Sequence, residues 1–384
     1  MTVFLSIRPA ACACAALDLG ALVGATPADA YSKETCLGEE IKWSSNSKSL
    51  EANSTSFPSG TWFNGIQDGV NKFNLNPSRF RYSVFSSGGG VGLGNGQSEI
   101  WGSTDAGVLQ GAPAIAYSWW TCFWFFGDFV HMDEVDVVFD YGSPWRWTTS
   151  TNKANLLRYS DTATDLRPLQ TTAVHEFGHG AKLNHVNTEY NVMGTDFEHI
   201  HVNGSTARAY MGEDVADGMV DLYGSRSGSW EDVGVVHWRY SGASGEYSDH
   251  TKGRVLASNG AALPTFTITD PGTTRETAYR VNPGQVVRVE FTYENNGKTT
   301  QSNVDVGFYI STNDTISTFD RRVGGRTLSL GRANVYSPDH HTVTIPTDLT
   351  VGQTYWLGAI VDEDNSLSEA VEWNNATYIP IRVQ

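Results

Sequence analysis

Residues 171–194, TTAVHEFGHGAKLNHVNTEYNVMG, hold the side chains best suited to chemistry. His175 and His179 are four apart. On a helix this spacing sends both imidazoles from one face. Neutral imidazole is a strong zinc ligand. Glu176 follows the first histidine and stands about 100° further round the helix, beside such a metal rather than aimed at it. From there it can take a proton from an attacking water. His185 lies six residues beyond His179, so a chain that turns near residue 182 brings it to the same ion. Three histidines leave a fourth tetrahedral position open, the catalytic arrangement. Met193, within Asn191-Val192-Met193-Gly194, can place its thioether beneath the site as apolar support. The cofactor expected is one catalytic Zn2+ per chain.

Other ligand sets compete. Glu198 could replace His185, giving two histidines and one glutamate, but this leaves His185 and Met193 without a role. His199 and His201 alternate across Ile200, and read as loop histidines lining the cleft or as exposed residues. His340-His341 reads as a turn. Asp214, Asp217 and Asp221 read as a solvated or capping face. The acidic loops Asn313-Asp314 and Asp362-Glu363-Asp364-Asn365 read as solvated turns, with calcium binding as the weaker alternative.

The elements that must position these groups follow from patterning. Residues 60–73 place Trp62, Phe63, Ile66, Val70 and Phe73 near helical spacing. Strands are expected around Ser98–Trp101, over 112–119 with Pro113 marking an edge strand, and over 135–139. Asp165 and Pro168 are expected to open the histidine helix. A last helix is expected over 212–222, ended by Gly224. Residues 225–262, rich in Ser, Gly and charge, read as a linker with short strands around 235–240. Residues 263–384 alternate apolar and polar in runs such as VVRVEFTY and TYWLGAIV, the pattern of a β-sandwich of about seven strands.

The 384 residues suffice for two or three domains. The formal charge of −16 argues against a nucleic-acid partner, which needs clustered Lys and Arg. The apolar run 117–126 is far short of the roughly 20 residues of a membrane-spanning helix, and reads as a buried strand or an aromatic binding surface. Arg8, an apolar stretch over 11–25 and Ala28-Asp29-Ala30 read as a secretory signal over 1–30. Cys12 and Cys14 fall within it. Cys36 and Cys122 remain as an even pair for one disulfide. Two buried free thiols, or Cys36 on the metal, are the other readings.

His175-Glu176-x-x-His179-x5-His185 followed by Met193 resembles a metzincin, and GEDVADGMVDLYG over 212–224 resembles the third helix of the matrixin branch. The resemblance covers about residues 38–224. It implies a zinc endopeptidase with ligands His175, His179 and His185, general base Glu176, and an edge strand over 112–119 that holds substrate in extended form. The metzincin pattern has glycine three residues after the second histidine; this chain has Lys182. A non-glycine in the left-handed conformation costs about 1–2 kcal/mol. Residues 281–384 resemble the CARDB domain, a bacterial cell-adhesion-related sandwich, through Pro283-Gly284, Tyr293–Gly297, Tyr309-Ile310-Ser311, Val361-Asp362, Glu369, Glu372 and Asn374-Asn375.

The expected fold class is α+β: a zincin-like catalytic domain of mixed sheet plus active-site helix over 31–224, a linker over 225–262, and an all-β immunoglobulin-like sandwich over 263–384. The expected protein is a secreted or surface-held bacterial zinc endopeptidase. Its partners are protein or peptide substrates, with a cell-surface or matrix ligand for the sandwich. The alternative is a metzincin-like adhesin or binding protein whose chemistry Lys182 impairs.

Overall fold

A computed structural model describes residues 31–124, 127–156, 159, 166–269, 275–332 and 334–384. The expected signal over 1–30, with Cys12 and Cys14, and the expected cap Asp165 lie outside the described residues.

A five-stranded sheet organises the first part. Its order is Arg81–Ser87, Ser47–Asn53, Glu99–Ser103, Asp128–Asp140, Ala114–Trp124. The first four run parallel, and Ala114–Trp124 closes the sheet as an antiparallel edge strand. Side chains of Asp128–Asp140 alternate as a pleat requires. Val135, Val137 and Phe139 join the core beneath the helices. Val138 faces the other way, onto Trp101, Leu109, Ile115 and Tyr117.

Helix Thr61–Phe73 buries Trp62, Ile66, Val70 and Phe73 at helical spacing. It lies against the histidine helix, Leu169–Gly180, through Phe73 and Phe177. The two backbones approach closely at Gly69, where a Cβ would stand 2.8 Å from that of Ala173. The histidine helix starts later than the sequence suggests. Arg167–Pro168 pairs with Trp147–Thr148 as a short parallel strand, and Pro168 caps the helix in an extended conformation. Helix Gly212–Tyr223 ends at Gly224, whose φ of +71° suits glycine.

The sandwich packs a six-stranded sheet on a four-stranded one around an aliphatic core that includes Val289, Phe291, Phe308 and Leu357. Eight strands lie between Thr265 and Val383. The stretch read as a linker is itself strand-bearing. Val233–Val236 and Val255–Ala257 both pair with Val286–Asn295, and between them stands the hairpin Trp238–Ser244/Tyr247–Lys252.

The expected α+β class is therefore corrected. The described residues are mostly β, with 47% of them in strands and 14% in helices. A zincin-like α+β catalytic domain is not shown. Strands occupy much of residues 225–262, expected as linker, and Arg167–Pro168, expected as helix, is a short strand; with the eight sandwich strands these tip the balance. Among the described residues no helix is long and apolar enough to cross a membrane.

Candidate metal centre and its cleft

The histidine helix presents His175 and His179 from one face, and the chain beyond it returns His185 beside them. The three Nε2 atoms converge: His175 to His179 is 3.0 Å, His179 to His185 is 3.0 Å, and His175 to His185 is 3.2 Å. Ligands at 2.0–2.1 Å in a tetrahedron would stand about 3.3 Å apart, so the donor set fits a small cation such as zinc. The Nδ1 atoms of His175 and His179 donate to the carbonyls of Val192 (2.7 Å) and Leu183 (2.9 Å). Those bonds fix the tautomer that leaves Nε2 free to ligate. Burial, aided by the neighbouring imidazoles, pushes His175 down to about 4 and His179 and His185 to about 3, holding all three rings in the neutral, ligating form.

Glu176 is buried beside the triad. Burial, aided by the negative charge of Asp196, raises its carboxyl to about 8, while Arg167 and a hydrogen bond from the Ala116 N–H pull the other way. Met193 is fully buried, and its thioether lies against Gly178, between the two helical histidines. A Cβ on Gly178 would run into that sulfur. The Met193 N–H donates to Asp214 Oδ2 at 2.7 Å, which explains why Asp214 is buried rather than solvated.

Lys182 adopts φ +69°, the left-handed conformation that the sequence places there. Its side chain is buried and fully used. Nζ lies 2.6 Å from Glu34, donates to Ser118 Oγ at 3.0 Å, and sits 3.9 Å from the Trp120 ring centre. Ser118 and Trp120 belong to the edge strand. Lys182 thus ties the turn after the helix to that strand and to the N-terminal segment. Cys36 and Cys122 form a disulfide that joins the same two pieces, so neither is a free thiol or a metal ligand.

The triad opens into a cavity of about 600 Å3 between the edge strand around Ala114 and Ala116 and the hairpin carrying Tyr247 and Ser248. Arg167 and Asp196 form its back wall, 2.5 Å apart, with Phe197 over the guanidinium. Burial pushes Asp196 up, but Arg167, His175 and Thr172 outweigh it and hold the carboxylate low. Neither Arg167 nor Asp196 stood out in the sequence, where no motif couples them. Glu198 lines the same cavity but is not in the ligand group.

His199 and His201 neither line the cleft nor face solvent. Both are buried beside Glu294 of the sandwich, at 3.0 and 3.3 Å. His340 and His341 lie within strand Val335–Thr344 rather than a turn, with His340 3.1 Å from Glu290. Asp217 pairs with Arg332 and Asp221 with Lys33. Asp305, Asp362 and Asp364 bring carboxylate oxygens within 4.8 Å of one another, although Asp362 already accepts hydrogen bonds from Ser366 and Leu367.

Comparison with known proteins bears on the sandwich. No curated protein matches the sequence. A crystal structure of a Pyrococcus furiosus CARDB domain in complex with di-metal ions is similar at 19% identity, covering 35% of this chain and 88% of that one, with a TM-score of 0.22. A solution structure of the same domain gives 26% identity over 27% of this chain and 84% of that one, with a TM-score of 0.21. A polysaccharide monooxygenase, CBM33, gives 16% identity over 28% and 60%, with a TM-score of 0.18. The CARDB family model matches residues 263–378, and the chain carries a CARDB domain there.

Proposed function

We propose that the chain is a zinc-dependent endopeptidase whose CARDB domain serves as a binding module. The observation that carries this reading is the convergence of three neutral imidazoles beside a buried glutamate, in a cleft bordered by an edge strand. His175, His179 and His185 would hold the metal. Zinc, when bound, supplies Lewis acidity and makes water a nucleophile near neutral pH. The chain's own residues do the rest. Glu176, in its ionised form beside the triad, would take the proton from the attacking water and return it to the leaving amine. The edge strand Ala114–Trp124 offers unpaired backbone groups along which a substrate can lie extended. Lys182 holds that strand against the turn between the second and third histidines.

The second reading is a non-catalytic binding protein. The CARDB match over residues 263–378 favours it, because it speaks for a β-sandwich module and not for hydrolysis. One experiment separates the two. The chain from residue 31 is given an unfolded protein, first with chelator and then with zinc restored. Cleavage abolished by chelation and recovered with zinc supports the peptidase. One bound zinc per chain without cleavage leaves the binding protein.

A further inference from the structure

The hairpin Trp238–Ser244/Tyr247–Lys252 arises from a Gly- and Ser-rich stretch, yet it is fixed in place. The strands before and after it, Val233–Val236 and Val255–Ala257, both pair with Val286–Asn295 of the sandwich. Its flank is bonded to the loop that follows His185. Thr195 Oγ1 donates to the Ser248 carbonyl, Asn187 Nδ2 donates to the Gly245 carbonyl at 2.6 Å, and the Tyr240 hydroxyl donates to the Asn187 carbonyl at 3.0 Å. Gly194 has no room for a side chain against Ser248 Oγ.

These contacts set the hairpin tip on the third histidine. Glu246 Oε2 lies 3.4 Å from His185 Nδ1, and the Tyr247 ring centre is 4.4 Å from that of His185. His175 and His179 each give Nδ1 to a carbonyl of their own domain. For His185 the group at Nδ1 is a carboxylate 3.4 Å away, in ion-pair range, delivered from outside the region that resembles a protease.

We infer that Glu246 is the positioning residue for His185, and that the hairpin tip, with Tyr247 walling the ring, completes the metal centre. This rests on the metal-binding half of the proposed function and not on hydrolysis. A carboxylate at Nδ1 fixes the tautomer, orients the ring and raises the basicity of Nε2, and losing such a partner weakens metal binding by about 10- to 100-fold. Glu246 is half-exposed, so the lower end applies.

The test is zinc affinity, read by competition with a chromophoric chelator on the full chain. Glu246→Ala is expected to bind zinc about 10-fold more weakly than the parent, with an unchanged melting temperature in the metal-free state. Glu246→Gln, whose amide oxygen can still accept from Nδ1, is expected to recover most of the loss. Asp249→Ala removes the same charge from the same hairpin and is expected to leave the affinity unchanged. A Glu246→Ala affinity within twofold of the parent overturns the inference, as does an equal loss in Asp249→Ala. A parent that binds no zinc overturns both this inference and the proposed function. A parent that binds zinc but cleaves nothing removes hydrolysis alone, and the affinity comparison still decides the role of Glu246.

Discussion

His199 Nε2 stands 3.0 Å from Glu294 Oε1, and both side chains are wholly buried. One belongs to the part that carries the histidine triad and the other to strand Val286–Asn295 of the sandwich. Burial alone would push Glu294 up, but the rings of His199 and His201 outweigh it and hold the carboxylate down to about 2. His199 is raised in turn: burial lowers it, and Glu294 more than compensates.

This pair predicts a pH dependence of stability. A carboxylate with a depressed folded-state pKa stabilises fully above its unfolded value of 4.5, and that contribution is lost as pH falls from 4.5 toward 2. The loss amounts to about 3 kcal/mol. Glu294→Gln removes it, flattening the acid limb of a stability–pH curve. At neutral pH the same variant leaves His199, the ring that Glu294 raises, without its counter-charge, at a cost of up to about 3–5 kcal/mol. Denaturant melts between pH 2.5 and 7 measure both effects.

Glu176→Gln is expected to keep zinc and lose hydrolysis by about 100- to 10,000-fold, the usual contribution of a general base. Metal content and turnover are measured on one preparation. Undiminished turnover would remove Glu176 from the mechanism.

Gly178→Ala forces a methyl group against the Met193 thioether. The expected cost is about 1–3 kcal/mol of overpacking. Because the strain sits between His175 and His179, zinc affinity falls with it. A melt and a chelator competition, compared with Gly60→Ala where a Cβ meets nothing, read the two consequences separately.

Lys182→Gly relieves about 1–2 kcal/mol of left-handed strain. It also removes the ion pair with Glu34, the bond to Ser118 and the packing over Trp120. The losses win, so the variant melts lower and gains no activity. A large rise in turnover would instead identify Lys182 as an impairment and favour the binding-protein reading.

The convergence of the three histidines was legible because its signal is local: all three lie within eleven residues of chain. The left-handed turn at Lys182 was legible for the same reason. Its partners were not, since Glu34 and Ser118 are distant in sequence and only the sheet brings them to the turn. His199 and His201 were misread because Glu294, 95 residues beyond His199, is what makes burying them tolerable. The hairpin around Glu246 is not legible in the sequence, because Gly, Ser and charge suit a tight exposed turn as well as they suit a flexible tether. The α+β assignment failed by the same route, since local periodicity found the helices but not the pairings that make residues 225–262 part of a sheet.

Strand Val286–Asn295 pairs with the strands on either side of the hairpin, and the tip of that hairpin meets His185. The hairpin thus hangs between a strand of the CARDB domain and one of the three imidazoles, so a shift of that strand would reach His185 through a few residues of backbone.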